Sequence, residues 1–435
     1  MRIPRSTLIG TFVLAFGVRL AWILAVQHPI HAIYSDMGGY VDRAEQLMWG
    51  IPTPDPRVLA IYPWGTHALM ALEFSLFGRH AEVTIAVIHA LLGAIPAPCM
   101  AALSIRLVPS RAVAALVGVL VALWYPQVAF VGFFLSEPWF AAGLALHAAL
   151  TVRERRGVVG LLGTGLVSAI AFVVRPQIIV TWAIDMVRLK LSALRRGGVW
   201  PAVRKMVLLA LPMALFIGGS AVRLHKLAGH WGLISENDQM TRIWAETDIC
   251  QLKSHWTLPD GGRLFYWFNP PSKPAENPSQ IVEFEGYIAD PDILRRIRLE
   301  RLRGVPWTAR ARRKLHNVAL LFTGNLPWPE SNYKDPPWRL ALQKASAAAL
   351  LYAVLPLAAV GALLGRRNAA LFIATLNAVT CIFTAAFFFG EGRYHVPYDP
   401  FFLVLAVVGI WEIKRRLALR VRRWRRGRIA ARAVA

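Results

Sequence analysis

Two adjoining stretches decide the architecture: LIGTFVLAFGVRLAWILAVQ (8–27), and directly after it HPIHAIYSDMGGYVDRAEQL (28–47). About 20 apolar residues in an α-helix cross the hydrocarbon core of a bilayer, and the first stretch has that length and composition. It follows Arg2 and Arg5, as a signal peptide would. Arg19 within it, the lack of a small-residue cleavage site and the apolar runs that follow make it read as a retained anchor. The second stretch is polar and acidic, so the chain leaves the membrane there.

Working outward, comparable apolar runs lie near 82–105, 112–131, 134–152, 158–174, 176–190, 206–223, 341–364, 369–389 and 398–413. With 8–27 they predict an all-α polytopic membrane protein of about ten transmembrane helices. The 176–190 run is the weakest, because Asp185 and Arg188 cut it short. GTHALMALEFSLFG (65–78) is apolar but too short to span, and reads as an interfacial helix. The expected organisation has four parts. They are an N-terminal transmembrane module (1–223) with a first extracytoplasmic loop (28–81), an extracytoplasmic region with membrane-surface helices (224–340), a C-terminal transmembrane module (341–413) and a basic cytoplasmic tail (414–435).

An even number of spans puts both termini on one side, and charge says which. The N-terminus, 106–111, 153–157, 188–205, 366–367 and 414–435 together carry 25 of the 49 Lys and Arg. Positive charge collects on the cytoplasmic side, so both termini are expected there. The 16 basic residues of 224–340 do not reverse this, since long loops translocate regardless of charge. The tail KRRLALRVRRWRRGR (414–428) suits the anionic inner leaflet.

The whole composition agrees. Of 435 residues, 56% are hydrophobic and only 17% charged, with 16 Trp and 21 Phe. Soluble domains carry about a quarter charged residues. The net charge of +24 would suit nucleic acid in a soluble protein, but here the bases lie mainly between apolar runs, which argues against that partner. Cys99, Cys250 and Cys381 make no disulfide framework and no zinc spacing. There is no fixed-period repeat, P-loop, G-x-G-x-x-G in a strand–helix setting, G-x-S-x-G or H-E-x-x-H.

Given that topology, four distant regions meet one face of the membrane. Asp36 lies just past the first span, Glu137 in FLSEPWF opens the fourth, and Arg175 in VVRPQ ends the fifth. Glu391, Arg393, Tyr394 and His395 lie in FFFGEGRYHVP between the last two. Ionisable residues at membrane depth are functional candidates by default. Each also has a plainer role: Glu137 and Arg175 as a tethering ion pair, Arg393 snorkelling to headgroups, Asp36 with Ser35 as a helix cap. The stretch PDILRRIRLERLRGVPWTARARRKLHNVALLF (291–322) alternates bases with Leu and Trp and reads as helices on the outer membrane surface.

These motifs, in this order, resemble the GT-C membrane glycosyltransferases, such as the protein O-mannosyltransferases and the aminoarabinose transferase of lipid A. SDMGGYVDRAEQL (35–47), YPWGTHALMALEFSLFG (62–78), SEPWF (136–140), RPQ (175–177) and GRYHVPYDPF (392–401) carry the resemblance. It departs at Met37, where the O-mannosyltransferases have Asp-Glu, and at Ala60-Ile61-Tyr62-Pro63, where bacterial members have Pro-Gly-Tyr-Pro. The resemblance implies a sugar donor on a polyprenyl phosphate, a catalytic Asp36 and a functional Tyr40. It further implies an acceptor glycan, lipid or protein outside the cytoplasm, with membrane lipids as surroundings. The chemistry then expected is a single inverting displacement in a bacterial plasma (inner) membrane. Asp36 would take the acceptor proton, and Arg393 and Arg175 would steady the leaving phosphate. Glu137, Glu391 and Tyr394 would complete the substrate-binding set. No metal is demanded, although Asp36 with Glu137 or Asp42 could hold one divalent cation. A transporter or lipid flippase is the alternative, but its charges belong near the midplane in broken helices. A non-enzymatic scaffold does not explain why the four regions converge.

Overall fold

The computed structural model describes residues 3–153, 157–258, 260–270, 275–323 and 336–434, without side chains at 192–193, 195–197 and 425–434. The expectations for Arg155 and Arg156, for 324–335 and for the side chains of the tail beyond Trp424 lie outside the described residues.

In chain order the helices are α1 (Arg5–Ala25), α2 (Asp36–Trp49), α3 (Gly65–Phe77), α4 (Glu82–Ala94), α5 (Pro96–Leu107), α6 (Arg111–Leu123), α7 (Tyr125–Ala129), α8 (Ser136–Thr151), α9 (Val158–Val174), α10 (Ile178–Gly197), α11 (Val199–Ala228) and α12 (Asp238–Glu246). Three strands follow, β1 (Gln251–Thr257), β2 (Arg263–Phe268) and β3 (Ile281–Glu285). The chain then forms α13 (Pro291–Leu302), α14 (Trp307–Thr323), α15 (Pro337–Ala349), α16 (Leu355–Leu364), α17 (Ala369–Phe387) and α18 (Asp399–Val434). Every one of the ten apolar runs is helical. Among the described residues six segments can cross a membrane by length and composition: Arg5–His31, Glu82–Leu107, Val199–Ala228, Pro337–Leu364, Ala369–Phe387 and Gly392–Trp424. A seventh arises if α6 and Tyr125–Gly132, bent by 53°, count as one span. The protein is an integral membrane protein of mainly helical build. Among the described residues its sheet lies in the 224–340 region, where β1 pairs antiparallel with β2 and parallel with β3.

Local chemistry places the helix ends. The side chains of Ser110, Asn368 and Asp290 accept backbone N–H bonds at the starts of α6, α17 and α13. Gly50 and Gly229 close α2 and α11 in the left-handed conformation. The break after α6 has a steric cause: Pro126 supplies no N–H to the carbonyl of Ala122 and its ring clashes there, so the chain turns extended at Trp124 (ψ 113°) and Tyr125 begins a new helix. That break exposes the last carbonyls of α6 within the bundle, and Arg19 covers them. Its fully buried guanidinium donates to the carbonyls of Ala122 (2.9 Å), Val121 (3.4 Å) and Ala15 (3.1 Å). A cation at a helix C-terminus also meets the negative end of its dipole. The charge that argued against a signal peptide is therefore a structural cap.

The bent arm 124–135 reaches the turn before α18. The Trp124 indole donates to Asp399 at 2.7 Å, and the Gln127 amide to the Val396 carbonyl. α18 is fixed from its other side by α16. A Cβ on Gly361 would strike the Leu405 carbonyl, and one on Gly409 the Leu357 carbonyl, so the two backbones pass in direct contact. The helix expected as interfacial, α3, has one face against the bundle, with Phe74 edge-on to Phe134 at 5.6 Å, and the other, Leu72, Leu76 and Phe77, exposed.

The 224–340 region roofs these helix ends. Trp244, Leu252, Trp256, Tyr287 and Leu294 form an apolar cluster with Ile61 and Phe389. The Asn317 amide of α14 donates to the Ala245 carbonyl at 2.9 Å, and the Asn317 backbone lies against Gly390. The helices expected over 291–322 are present as α13 and α14.

The α16–α18 crossing gives a direct check. Gly409→Leu should destabilise the protein by on the order of 1–3 kcal/mol, read as a lower melting temperature in detergent. Gly17→Leu, whose Cβ would meet nothing within 4 Å, should leave it unchanged.

Candidate active site

Asp36 is the first residue of α2, and its setting is unusual. Ser35 before it has φ 51° and ψ −131°, and is the one non-glycine residue with positive φ among the described residues. Such backbone costs about 1–3 kcal/mol and gathers at functional sites. Neither side chain caps the helix. The Asp36 carboxylate instead turns to Arg393, with Nη2 to Oδ2 at 2.6 Å, and accepts a bond from the Tyr62 hydroxyl at 3.4 Å.

Arg393 comes from a tight 3₁₀ turn, Gly392–Tyr398, which α14 and the bent arm hold in place. Its Nε lies 3.4 Å from Glu391 and 3.8 Å from Glu137. Glu137 opens α8 and pairs with Arg175, the residue that ends α9. Arg175 Nε also donates to the Ser136 hydroxyl at 2.8 Å. The Tyr394 ring carries a guanidinium at 5.2 Å (Arg175) and another at 5.4 Å (Arg393). The Tyr40 ring lies 5.6 Å from that of Tyr62. Asp36, Tyr40, Glu137, Arg175, Glu391, Arg393 and Tyr394 thus form one connected cluster built from four elements.

Exposure separates the carboxylates. The Glu137 side chain is 1% exposed and Glu391 5%, while Asp36 is 23% exposed. Burial pushes the Glu391 carboxyl above its ordinary range, against the opposing charge of Arg393. Two carboxylates are therefore internal supports, and Asp36 is the one an incoming molecule can reach. The tethering role open to Glu137 and Arg175 is realised, since they are paired. Three carboxylates face two guanidiniums, and both arginines arrive already engaged.

The remaining candidates fall outside the cluster. His395 turns away, with Nδ1 2.7 Å from the buried Asp399 carboxylate and its ring stacked on Phe322 at 6.0 Å. It pins the turn that carries Arg393. Asp42 is exposed and joins none of these contacts. Among the described residues no group of three or more His, Cys, Asp or Glu side chains is placed to hold a metal ion. With guanidiniums already on all three carboxylates, the residues as arranged do not fit the divalent cation considered for Asp36, and no step is routed through one.

Sequence reasoning passed over Ser35, Ser136 and Tyr62 as site residues, although each lies inside a quoted motif. Tyr62 is held by a second network. Next to it in the loop, Asp55 forms a two-pronged pair with Arg57 and accepts the Trp256 indole N–H at 2.8 Å. Burial alone would raise the Asp55 carboxyl, but the bonds from Arg57 and Trp256 outweigh it and hold it low. The Tyr287 hydroxyl donates to the Arg57 carbonyl (2.6 Å) and lies 2.7 Å from Glu236, tying the 50–64 loop to the 224–340 region.

The strain at Ser35 is testable. Ser35→Gly should stabilise the protein by about 1 kcal/mol, the relieved strain less the added freedom of the unfolded chain. Ser35→Val should lower the melting temperature. A Gly variant that melts lower than the parent would remove strain as a feature of the site.

No family model matches the chain. No curated protein matches it either. Solved structures do. The archaeal oligosaccharyltransferase AglB from Archaeoglobus fulgidus, in complex with an inhibitory peptide and a dolichol-phosphate, aligns with TM-score 0.50 and 14% identity over 95% of this chain. The Archaeoglobus fulgidus oligosaccharyltransferase tethered to an acceptor peptide aligns with TM-score 0.51 and 12% identity over 96%. The same enzyme in complex with Zn and sulfate gives 0.50 and 13% over 94%. This chain spans about half the length of those proteins, 50–51%. The likeness concerns the fold and does not distinguish one branch of the class from another. On that footing the chain shares its fold with about half of these Archaeoglobus fulgidus oligosaccharyltransferases.

Proposed function

We propose that this protein is a membrane glycosyltransferase that moves a sugar from a polyprenyl-phosphate donor to an acceptor outside the cytoplasm, by one inverting displacement. The observation that carries the reading is the reachable carboxylate of Asp36, held at 2.6 Å by Arg393, which is backed in turn by the buried Glu391 and Glu137. In the step, an acceptor O–H or N–H gives its proton to Asp36. The acceptor atom bonds to the anomeric carbon, and the bond from that carbon to the phosphate oxygen breaks, with the electron pair leaving on the phosphate. A lipid phosphate leaves without prior protonation, so the protein needs a base and a fixed geometry. Arg393 holds one Asp36 oxygen, and Tyr62 touches the other. Arg175 and Glu137 brace the turn from beneath. Tyr40 and Tyr394 offer aromatic walls for a sugar ring. The donor and acceptor classes draw support from the fold neighbours, solved with a dolichol-phosphate and with an acceptor peptide. A transporter reading lacks comparable support, since these charges sit at helix ends and in loops.

In this proposal about ten spans cross a bacterial inner membrane, with both termini cytoplasmic and the site on the extracytoplasmic face. The short α8 and α9 cross beside longer helices. Cys250, a natural reporter by position, is buried, so the test needs introduced thiols. An impermeant maleimide applied to whole cells should label Glu285→Cys, which is 71% exposed, and spare Trp200→Cys, which is 82% exposed. The reverse pattern would put the site on the wrong side for this chemistry.

The mechanism turns on Asp36. Asp36→Asn keeps size and the Tyr62 contact but cannot take a proton. Transfer by purified protein from a polyprenyl-phosphate sugar should fall by about a hundredfold or more, with the melting temperature little changed. Near-normal turnover would sink the assignment.

A further inference from the structure

The arginines of the active-site cluster are engaged by carboxylates, but two others nearby are not. Arg43 lies two turns beyond Asp36 on α2, roughly 10 Å along the helix, and its guanidinium sits 4.8 Å over the Tyr62 ring. It is 5% exposed and donates only to carbonyls, Gly39 at 2.6 Å and Val58 at 3.3 Å, while Nε has no partner. Arg223, at the outer end of α11, donates to the neighbouring carbonyl of Leu59 at 3.0 Å, and its buried Nη1 has no partner. No carboxylate pairs with either among the described residues. His67 of α3 is fully buried, and both of its ring nitrogens lack a hydrogen-bond partner. Burial, and then the charges of Arg43 and Arg223, hold its imidazole well below the ordinary range. Two buried guanidiniums side by side without an anion repel each other and forgo the strongest bonds open to them.

We infer that Arg43, Arg223 and His67 form a site for the phosphate group of a membrane lipid, set off from Asp36 by the Tyr62 ring. A guanidinium fork matches phosphate oxygens, and backbone carbonyls can be given up to it at modest cost. The direction of approach favours a lipid over free phosphate. One face of α11, through Phe216, Ser220 and Arg223, meets the first outside loop, with Trp64 stacked on Phe216 and donating to Ser220 at 2.8 Å. The adjoining face presents exposed Leu211, Leu215 and Val222. A chain lying on that apolar face would bring its headgroup to Arg223. The inference rests on the glycosyltransferase reading in one respect: in a displacement at the anomeric carbon, base and leaving phosphate stand on opposite faces of that carbon. A phosphate at Arg43 and Arg223 stands apart from Asp36, with the Tyr62 ring next to both, whereas one at Arg393 would lie against the base.

The test is a binding measurement on the purified full-length chain in uncharged detergent, with dodecyl phosphate and inorganic phosphate as probes. The parent should bind dodecyl phosphate more tightly than inorganic phosphate. Arg43→Gln and Arg223→Gln should each weaken it by about tenfold or more, and Asp36→Asn should leave it within about twofold. Folded Gln variants that bind as the parent does would overturn the site and leave the arginines as loop fasteners, a role that moves the melting temperature but not the affinity. Equal affinity for the two probes would overturn the lipid source. If Gln at the buried position 43 prevents folding, the partly exposed Arg223→Gln decides alone. Because binding is read without turnover, a protein that binds dodecyl phosphate here yet transfers no sugar would overturn the glycosyltransferase reading and not the site. One that transfers sugar unimpaired by both Gln substitutions would overturn the site and not the reading.

Discussion

The ion pair between Arg393 and Asp36 joins the two ends of the chain. Asp36 follows the first span, and Arg393 precedes the last. Two buried carboxylates, Glu391 and Glu137, back the guanidinium, and Glu137 is itself held by Arg175. A charge withdrawn from water is tolerated only with partners placed to receive it. Loops, helix ends and the bent arm are therefore committed to one arrangement, and a shift in any of them would leave a buried charge unmatched.

Several structural peculiarities make sense as supports for that arrangement. The break after α6 would leave carbonyls unsatisfied in the bundle, and Arg19 satisfies them. The break in turn sends Trp124 and Gln127 to the Gly392–Tyr398 turn. The direct α16–α18 contact sets the height of Asp399, which fixes His395 and hence the same turn. On the other side, the Asp55, Trp256, Tyr287 and Glu236 network holds the loop that brings Tyr62 over Asp36. Membrane helices, bent arm and the 224–340 region each constrain one side of a small polar volume.

The charges near this volume form two groups with opposite needs. One has three carboxylates for two guanidiniums and is nearly self-sufficient. The other has two guanidiniums and a histidine, with no carboxylate paired to them among the described residues. The Tyr62 ring lies between the two groups, against Arg43 and with its hydroxyl on Asp36.

Hydrophobic run length alone determined that this is a helical membrane protein, because a bilayer admits few alternatives to a helix of about 20 apolar residues. Each run in the sequence proved helical, some as two broken helices, and rare ionisable residues such as Asp36, Glu137, Arg175, Glu391 and Arg393 stood out against an apolar background. Their order along the chain also carried the resemblance to the GT-C class. Apart from Glu137 with Arg175, pairing was not legible. Nothing local in the sequence says that Arg393 meets Asp36, that Arg19 caps a broken helix a hundred residues away, or that Arg43 and Arg223 lack carboxylates. Tyr62 and Ser136 lay within recognised motifs, yet only their neighbours in space give them roles. The small sheet in 251–285 was legible only in part: Pro259-Asp260-Gly261-Gly262 is a turn signal between β1 and β2, whose partners lie 6–16 residues apart, whereas the parallel β1–β3 pairing joins residues 30 apart and has no local signal. Burial against lipid is a property of a segment and is written in composition. The partner of a charge is a property of the packed chain, and it was decided only when the helices came together.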